Sequence, residues 1–154
     1  MPKTWFITGC TSGFGNQLVR QVLARGDKVI TGARDATRRA GALVDLGAHV
    51  IDLDLTWDHV LIEKIIRQAI DDCGGVIDYL ISVAGYGFFG AFEEISQMRL
   101  LESLQVNLHG SINVTRAILP YMRAKRAGKI AVISSEVSHR CSNLKRVFMQ
   151  RAKS

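Results

Sequence analysis

The sequence predicts a doubly wound α/β fold, a parallel sheet of about five strands with helices on both faces, incomplete on its C-terminal side. Three observations predict it. Short apolar runs rich in β-branched residues alternate with longer amphipathic stretches. The runs are apolar almost throughout, as strands buried on both faces must be. A glycine-rich turn also stands where the first run gives way to the first amphipathic stretch.

The first unit is "TWFITG" (Thr4 to Gly9), a strand closed by glycine, then "GNQLVRQVLARG", which sets Leu18, Val22 and Leu23 at helical spacing and stops at Gly26, a favoured C-terminal cap. "KVITGA" is the second strand and "DATRRAGALVDLG" a short helix. "HVIDLDL" is the third strand, followed by a helix whose apolar face comprises Val60, Ile62, Ile65, Ile66, Ala69 and Ile70. "VIDYLISVAG" is the fourth. A long helical stretch from about Ser96 to Lys125 is expected to break near Pro120, because proline loses a hydrogen bond and clashes inside a helix. "KIAVISS" is the fifth strand.

Composition bounds the function. With 154 residues, 47% hydrophobic and 22% charged, the chain reads as one soluble globular domain over residues 1–137, followed by an irregular basic tail over residues 138–154. Five of the 20 basic residues and none of the 14 acids fall between His139 and Ser154, so the net charge of +6 belongs largely to that tail. The tail has no aromatic interleaving beyond Phe148 and no binding module, and no nucleic-acid partner is expected. No apolar run reaches the roughly 18 residues of a membrane span, and "MPKTWFITG" has no leader pattern, so a cytoplasmic protein is expected. Cys10, Cys73 and Cys141 are odd in number and far apart, which excludes a disulfide framework. Neither they nor His49, His59, His109 and His139 make a metal spacing, and no metal is expected.

The turn "TGCTSGFG" carries the chemistry. Gly9 permits a sharp exit from the strand, Gly13 lets backbone approach a phosphate, and Gly15 lets the helix pack close. The helix N-terminus adds unpaired N–H groups and partial positive charge, so a phosphate or pyrophosphate is the expected ligand. No Gly-Lys-Ser/Thr follows, which disfavours a Walker-type loop. At the end of the second strand, "TGARD" presents Arg34, whose fork suits a ribose 2′-phosphate, where a carboxylate would suit a free 2′-hydroxyl. NADP(H) is therefore favoured over NAD(H), with Asp35 beside it as the contrary sign.

These residues, with "LDLT", "DYLISVAG", "VNLHG" and "GKIAVISS", occur in the order and spacing of the short-chain dehydrogenase/reductase family, which the chain resembles from residue 3 to about residue 137. The resemblance implies a Rossmann-like fold and an oxidoreductase that reduces a carbonyl or oxidises a secondary alcohol with a nicotinamide dinucleotide. It implies that Gly9, Ser12, Gly13, Phe14 and Gly15 cradle the phosphates and adenosine side, Arg34 the 2′-phosphate, Asp54 and Leu55 the adenine, and that Ala84 and Gly85 pass the cofactor ribose. Asn107 would hold a water of a proton relay, and Ser135 would hydrogen-bond the substrate carbonyl.

Two departures qualify it. Ser82 and Val83 stand where the family has two asparagines, so local bracing bonds must be made otherwise. The family's proton-donating Tyr and its Lys four residues later belong on the helix after the fifth strand, where this chain offers Phe148 and Ala152. A literal Tyr-x-x-x-Lys does occur at Tyr121 and Lys125, but before the fifth strand, where it reads as an ordinary helix end. The chain is thus expected to hold the cofactor-binding part of such an enzyme and to stop short of its proton donor. A catalytically silent NADP(H)-binding module, or a pairing partner of a full-length relative, is the alternative. An unpaired fifth-strand edge and an exposed apolar face on the long helix are expected to favour association, including a homo-oligomer through that helix.

Overall fold

The computed structural model describes residues 1–87 and 91–134. Five strands form one parallel sheet in the order β3-β2-β1-β4-β5: β1 Thr4–Thr8, β2 Lys28–Ala33, β3 His49–Asp52, β4 Tyr79–Ser82 and β5 Lys129–Val132. The helices between them are α1 Gly13–Ala24, α2 Ala36–Val44, α3 His59–Asp72, α4 Gln97–Leu104 and α5 Ser111–Ala124. The predicted doubly wound α/β class is the one observed.

Alternation along the strands divides the core into two layers. Phe6 pairs in register with Ile30 and with Leu80, and all three pack with Ile62, Ile66 and Ile70 of α3 and Val114 and Ile118 of α5. On the opposite face Ile7 and Val29 pack with Val19 and Val22 of α1 and Ala40 and Leu43 of α2. Each fully buried aliphatic or aromatic side chain contributes about 1.5–3 kcal/mol, so burial on both faces is a large part of what holds the strands in the sheet. The apolar face expected of α3 is narrower than its sequence suggests: Ile62, Ile66, Ala69 and Ile70 are buried, whereas Val60, in the first turn, is exposed.

Local signals explain where elements stop. Gly26, at φ +81°, follows α1 and donates its N–H to the Leu23 carbonyl, a conformation glycine adopts without strain. β3 is shorter than its apolar run because the Asp54 carboxylate accepts from both the N–H and the hydroxyl of Thr56, at 2.9 and 2.8 Å, folding the chain into a turn.

The long helix does not break at Pro120. That residue lies within α5 on its exposed side, where a carbonyl that loses its amide partner can still meet water. The irregularity falls earlier, in a π-helical turn over Gln105–Gly110 between α4 and α5. There Gly110 lies so close to β3's following loop that a Cβ would stand 2.8 Å from Leu55 Cβ.

β5 is the edge strand of the described sheet and all four of its residues are exposed. Met98, Leu101, Leu104, Leu108 and Ile112 expose apolar surface along α4, the π turn and α5. No helix among the described residues is long and apolar enough to cross a membrane.

Candidate functional site

In a parallel sheet every strand ends at the same edge, and the turns leaving β1 and β2 and the loops after β3 and β4 meet there. Strand order reverses between β1 and β4, and a cleft of about 420 Å³ opens at that switch point. Gly9, Ser12, Gly13, Phe14, Gly15, Arg34, Asp54, Leu55, Ala84 and Gly85 all line it. Asn107 does not, and Ser135, with Cys141, His139, Phe148 and the rest of the basic tail, lies outside the described residues.

The glycines are set by backbone proximity. A Cβ at Gly9, which has φ +71°, would stand 2.7 Å from the Ala84 amide nitrogen, and one at Gly15 would collide with the Gly9 carbonyl oxygen. Gly13, at φ +53°, is different: a Cβ there meets nothing within 4 Å and would occupy cleft space instead. Ser12 caps α1 in extended backbone without a side-chain hydrogen bond, and the first turn carries no acid. Ser12 and the first residues of α1 line the cleft, and the opening N–H groups of a helix have no partner within it. The turn fits a pyrophosphate.

Thr8 does the bracing that the Ser82–Val83 pair leaves undone. Its hydroxyl oxygen accepts from the N–H groups of Val83 and Ala84, both at 3.1 Å, tying the end of β1 to the loop after β4. Ser82 itself is buried, and its hydroxyl has no hydrogen-bond partner among the described residues. Asn107 grips the same loop from the π turn: its Oδ1 accepts from Tyr86 N–H at 3.0 Å while its Nδ2 donates to the Tyr86 carbonyl at 2.8 Å and to Ser103 Oγ at 3.2 Å. Both hydrogens of the side-chain amide are thus taken, and one lone pair of Oδ1, with the residue's backbone, is what it has left for a water.

Cys10, within the turn, is fully buried with its Sγ donating to the Gly32 carbonyl at 3.6 Å, and burial pushes its thiol pKa up. Such a thiol is inert. Among the described residues no cluster of His, Cys, Asp or Glu could hold a metal ion.

Tyr121 and Lys125 lie at the other edge of the sheet. The Tyr121 hydroxyl donates to Asp71 Oδ1 at 2.9 Å, and Lys125 Nζ donates at 2.6 Å to Asp78 Oδ1, whose other oxygen receives the N–H of Thr4 at the start of β1. Tyr121 thus ties α5 to α3 and Lys125 ties α5 to the starts of β1 and β4, at the edge away from the cleft.

A family model described as short chain dehydrogenase matches residues 3–147. The chain belongs to the short-chain dehydrogenase family. Within it, the 3-ketodihydrosphingosine reductase of Bacteroides thetaiotaomicron is 31% identical over 134 residues, covering 87% of this chain and 47% of that protein. A solved short-chain dehydrogenase from Streptomyces avermitilis is 34% identical, with a TM-score of 0.77 over 87% of this chain and 49% of that one. The alcohol dehydrogenase of Thermococcus sibiricus, solved in complex with 5-hydroxy-NADP, is 27% identical with a TM-score of 0.80, covering 91% of this chain and 61% of that one. This short-chain dehydrogenase sequence spans about half the length of the curated relatives it matches.

Sequence reasoning missed Thr8 as a brace and Arg39, from the first turn of α2, as part of the cleft wall. Thr8 was visible inside the motif, but the partner of its hydroxyl is some 75 residues away. Nothing in the spacing of "RDATRR" separates Arg39 from Arg38; the fold puts Arg39 on the cleft wall.

Proposed function

We propose that this chain supplies the dinucleotide-binding part of an oxidoreductase that reduces a carbonyl or oxidises a secondary alcohol, taking NADP(H) in preference to NAD(H). One observation carries the reading: the glycine turn and Arg34 share a single cleft at the strand-order switch point. The complex of a structural relative with 5-hydroxy-NADP supports it.

Each residue then has a physical task. N–H groups opening α1, with the Ser12 hydroxyl, receive the pyrophosphate, and Gly13 leaves it room. The Arg34 guanidinium pairs with the 2′-phosphate, Asp54 and Leu55 flank the adenine, and Ala84 and Gly85 run beside the ribose. Asn107 keeps that last segment in place through Tyr86. The nicotinamide, when bound, supplies or accepts a hydride. Ser135 hydrogen-bonds the substrate carbonyl.

A proton must still reach the reduced oxygen, and the Tyr121 hydroxyl is committed to Asp71 at the far edge. That observation favours a second reading, a catalytically silent NADP(H)-binding module. Titration by nicotinamide fluorescence, with an NADPH-oxidation assay over a carbonyl panel, separates the two. Saturable binding with turnover supports the oxidoreductase, saturable binding without turnover the silent module, and absence of binding overturns both. Arg34→Ala should weaken NADPH by roughly tenfold or more while leaving NADH nearly unchanged, as loss of a charge-assisted phosphate contact predicts.

A further inference from the structure

The corner that follows β2 holds one acid and three arginines within six residues, "RDATRR" from Arg34 to Arg39. Asp35 sits in left-handed backbone at φ +51°, ψ +59°, immediately before α2, and makes no capping hydrogen bond to that helix. Its carboxylate instead accepts from Arg38 Nε at 2.6 Å, one helical turn on. The next residue, Arg39, points around the helix by about 100° and lines the cleft together with Arg34, whereas Asp35 and Arg38 do not. The two neighbouring arginines are therefore divided between two duties.

We propose that Asp35, Arg38 and Arg39 select the cofactor: Arg39 joins Arg34 in receiving the 2′-phosphate, and Arg38 holds the Asp35 carboxylate where it neither repels that phosphate nor bonds a free 2′-hydroxyl. This rests on the NADP(H) reading and deepens it. An acid beside the 2′-position would favour NAD(H) through a hydrogen bond to the hydroxyl and disfavour NADP(H) through like-charge repulsion. Arg38 removes both effects with one ion pair. Both partners are exposed, so the pair is worth little as stability, and its consequence appears in selectivity.

The test measures NADPH and NADH dissociation constants at low ionic strength for the wild-type chain and for Arg39→Ala, Arg38→Ala, Asp35→Asn and the double variant Asp35→Asn/Arg38→Ala, with circular dichroism confirming the fold of each. Asparagine keeps the left-handed backbone that Asp35 needs while removing its charge. Arg39→Ala is expected to weaken NADPH about tenfold with NADH changed less than about twofold. Arg38→Ala is expected to lower the NADPH-over-NADH preference about threefold, and to lower it no further once residue 35 is Asn. An equal fall in both residue-35 backgrounds, or equal weakening of both cofactors by Arg39→Ala, overturns the proposal. A wild-type chain that binds both cofactors alike overturns the NADP(H) reading itself. A wild-type preference that survives both arginine variants overturns only the selector.

Discussion

The two edges of the sheet use similar residues to opposite ends. At the amino edge, Asp78 accepts from Thr4 N–H at 2.9 Å and from Lys125 at 2.6 Å, with Lys3 at 3.6 Å. Asp27 accepts from Lys3 N–H at 2.8 Å and from the Trp5 indole at 3.0 Å, and Trp5 stacks on Tyr79 with ring centroids 4.1 Å apart. The backbone groups at these strand starts meet side chains of the chain itself. At the carboxyl edge, glycines replace side chains, Ser12 caps nothing with its hydroxyl, and Arg34 is exposed. Donors left without an internal partner are what a ligand can use. The difference shows that a Tyr-x-x-x-Lys or an ion-pair cluster has meaning only once its edge is known.

The contrast can be broken most severely at Gly9. Gly9→Ala places a methyl against Ala84 N in left-handed backbone, and should cost about 2–4 kcal/mol of stability from strain and overpacking and abolish dinucleotide binding, read by denaturant melts and fluorescence titration. Binding retained at wild-type affinity would show that the turn has another purpose. Asp78→Ala should cost about 2 kcal/mol through lost charge-assisted hydrogen bonds yet leave NADPH affinity within about twofold, because the amino edge is remote from the cleft.

Acid sharpens the same test. Burial pushes the Asp78 carboxyl up, but the hydrogen bonds from Lys125 and Thr4 N–H and the charges of Lys125 and Lys3 outweigh it and hold the carboxyl below its ordinary 3.8. A depressed carboxyl stabilises the fold above that ordinary value, and the stabilisation is lost as pH falls through the folded value. Below about pH 3.8 the wild-type chain should therefore lose stability more steeply than Asp78→Asn.

Smaller effects complete the ranking. Tyr121→Phe should cost about 1 kcal/mol by removing the hydrogen bond to Asp71, with no change in cofactor affinity. A collapse of binding in that variant would relocate the active chemistry to the amino edge. Ser82→Ala should be neutral or stabilising by up to about 1 kcal/mol in thermal melts, since the buried hydroxyl that it removes has no partner among the described residues.

Much of the fold was legible because the signals are local. Continuous apolar runs such as that of β1, the helical spacing of Leu18 and Val22, and Gly26 after α1 each act through neighbours in sequence. The apolar face of α3 was overextended to Val60, since periodicity marks a direction but not how far packing reaches along it. Pro120 was a misleading signal because its cost depends on whether water can reach the freed carbonyl, which the sequence does not state.

By itself the sequence determined the order of strands and helices, the glycine turn and the place of Arg34, because hydrophobic period, chirality and turn chemistry operate over a few residues. Only tertiary structure decided that Thr8 would brace a loop from β4, that Asn107 would clamp Tyr86, that Arg38 and Arg39 would take separate duties, and that Tyr121 and Lys125 would stand at the opposite edge. Those outcomes depend on which distant backbone comes within hydrogen-bond reach after the sheet closes. Spacing along the chain carries no measure of that distance.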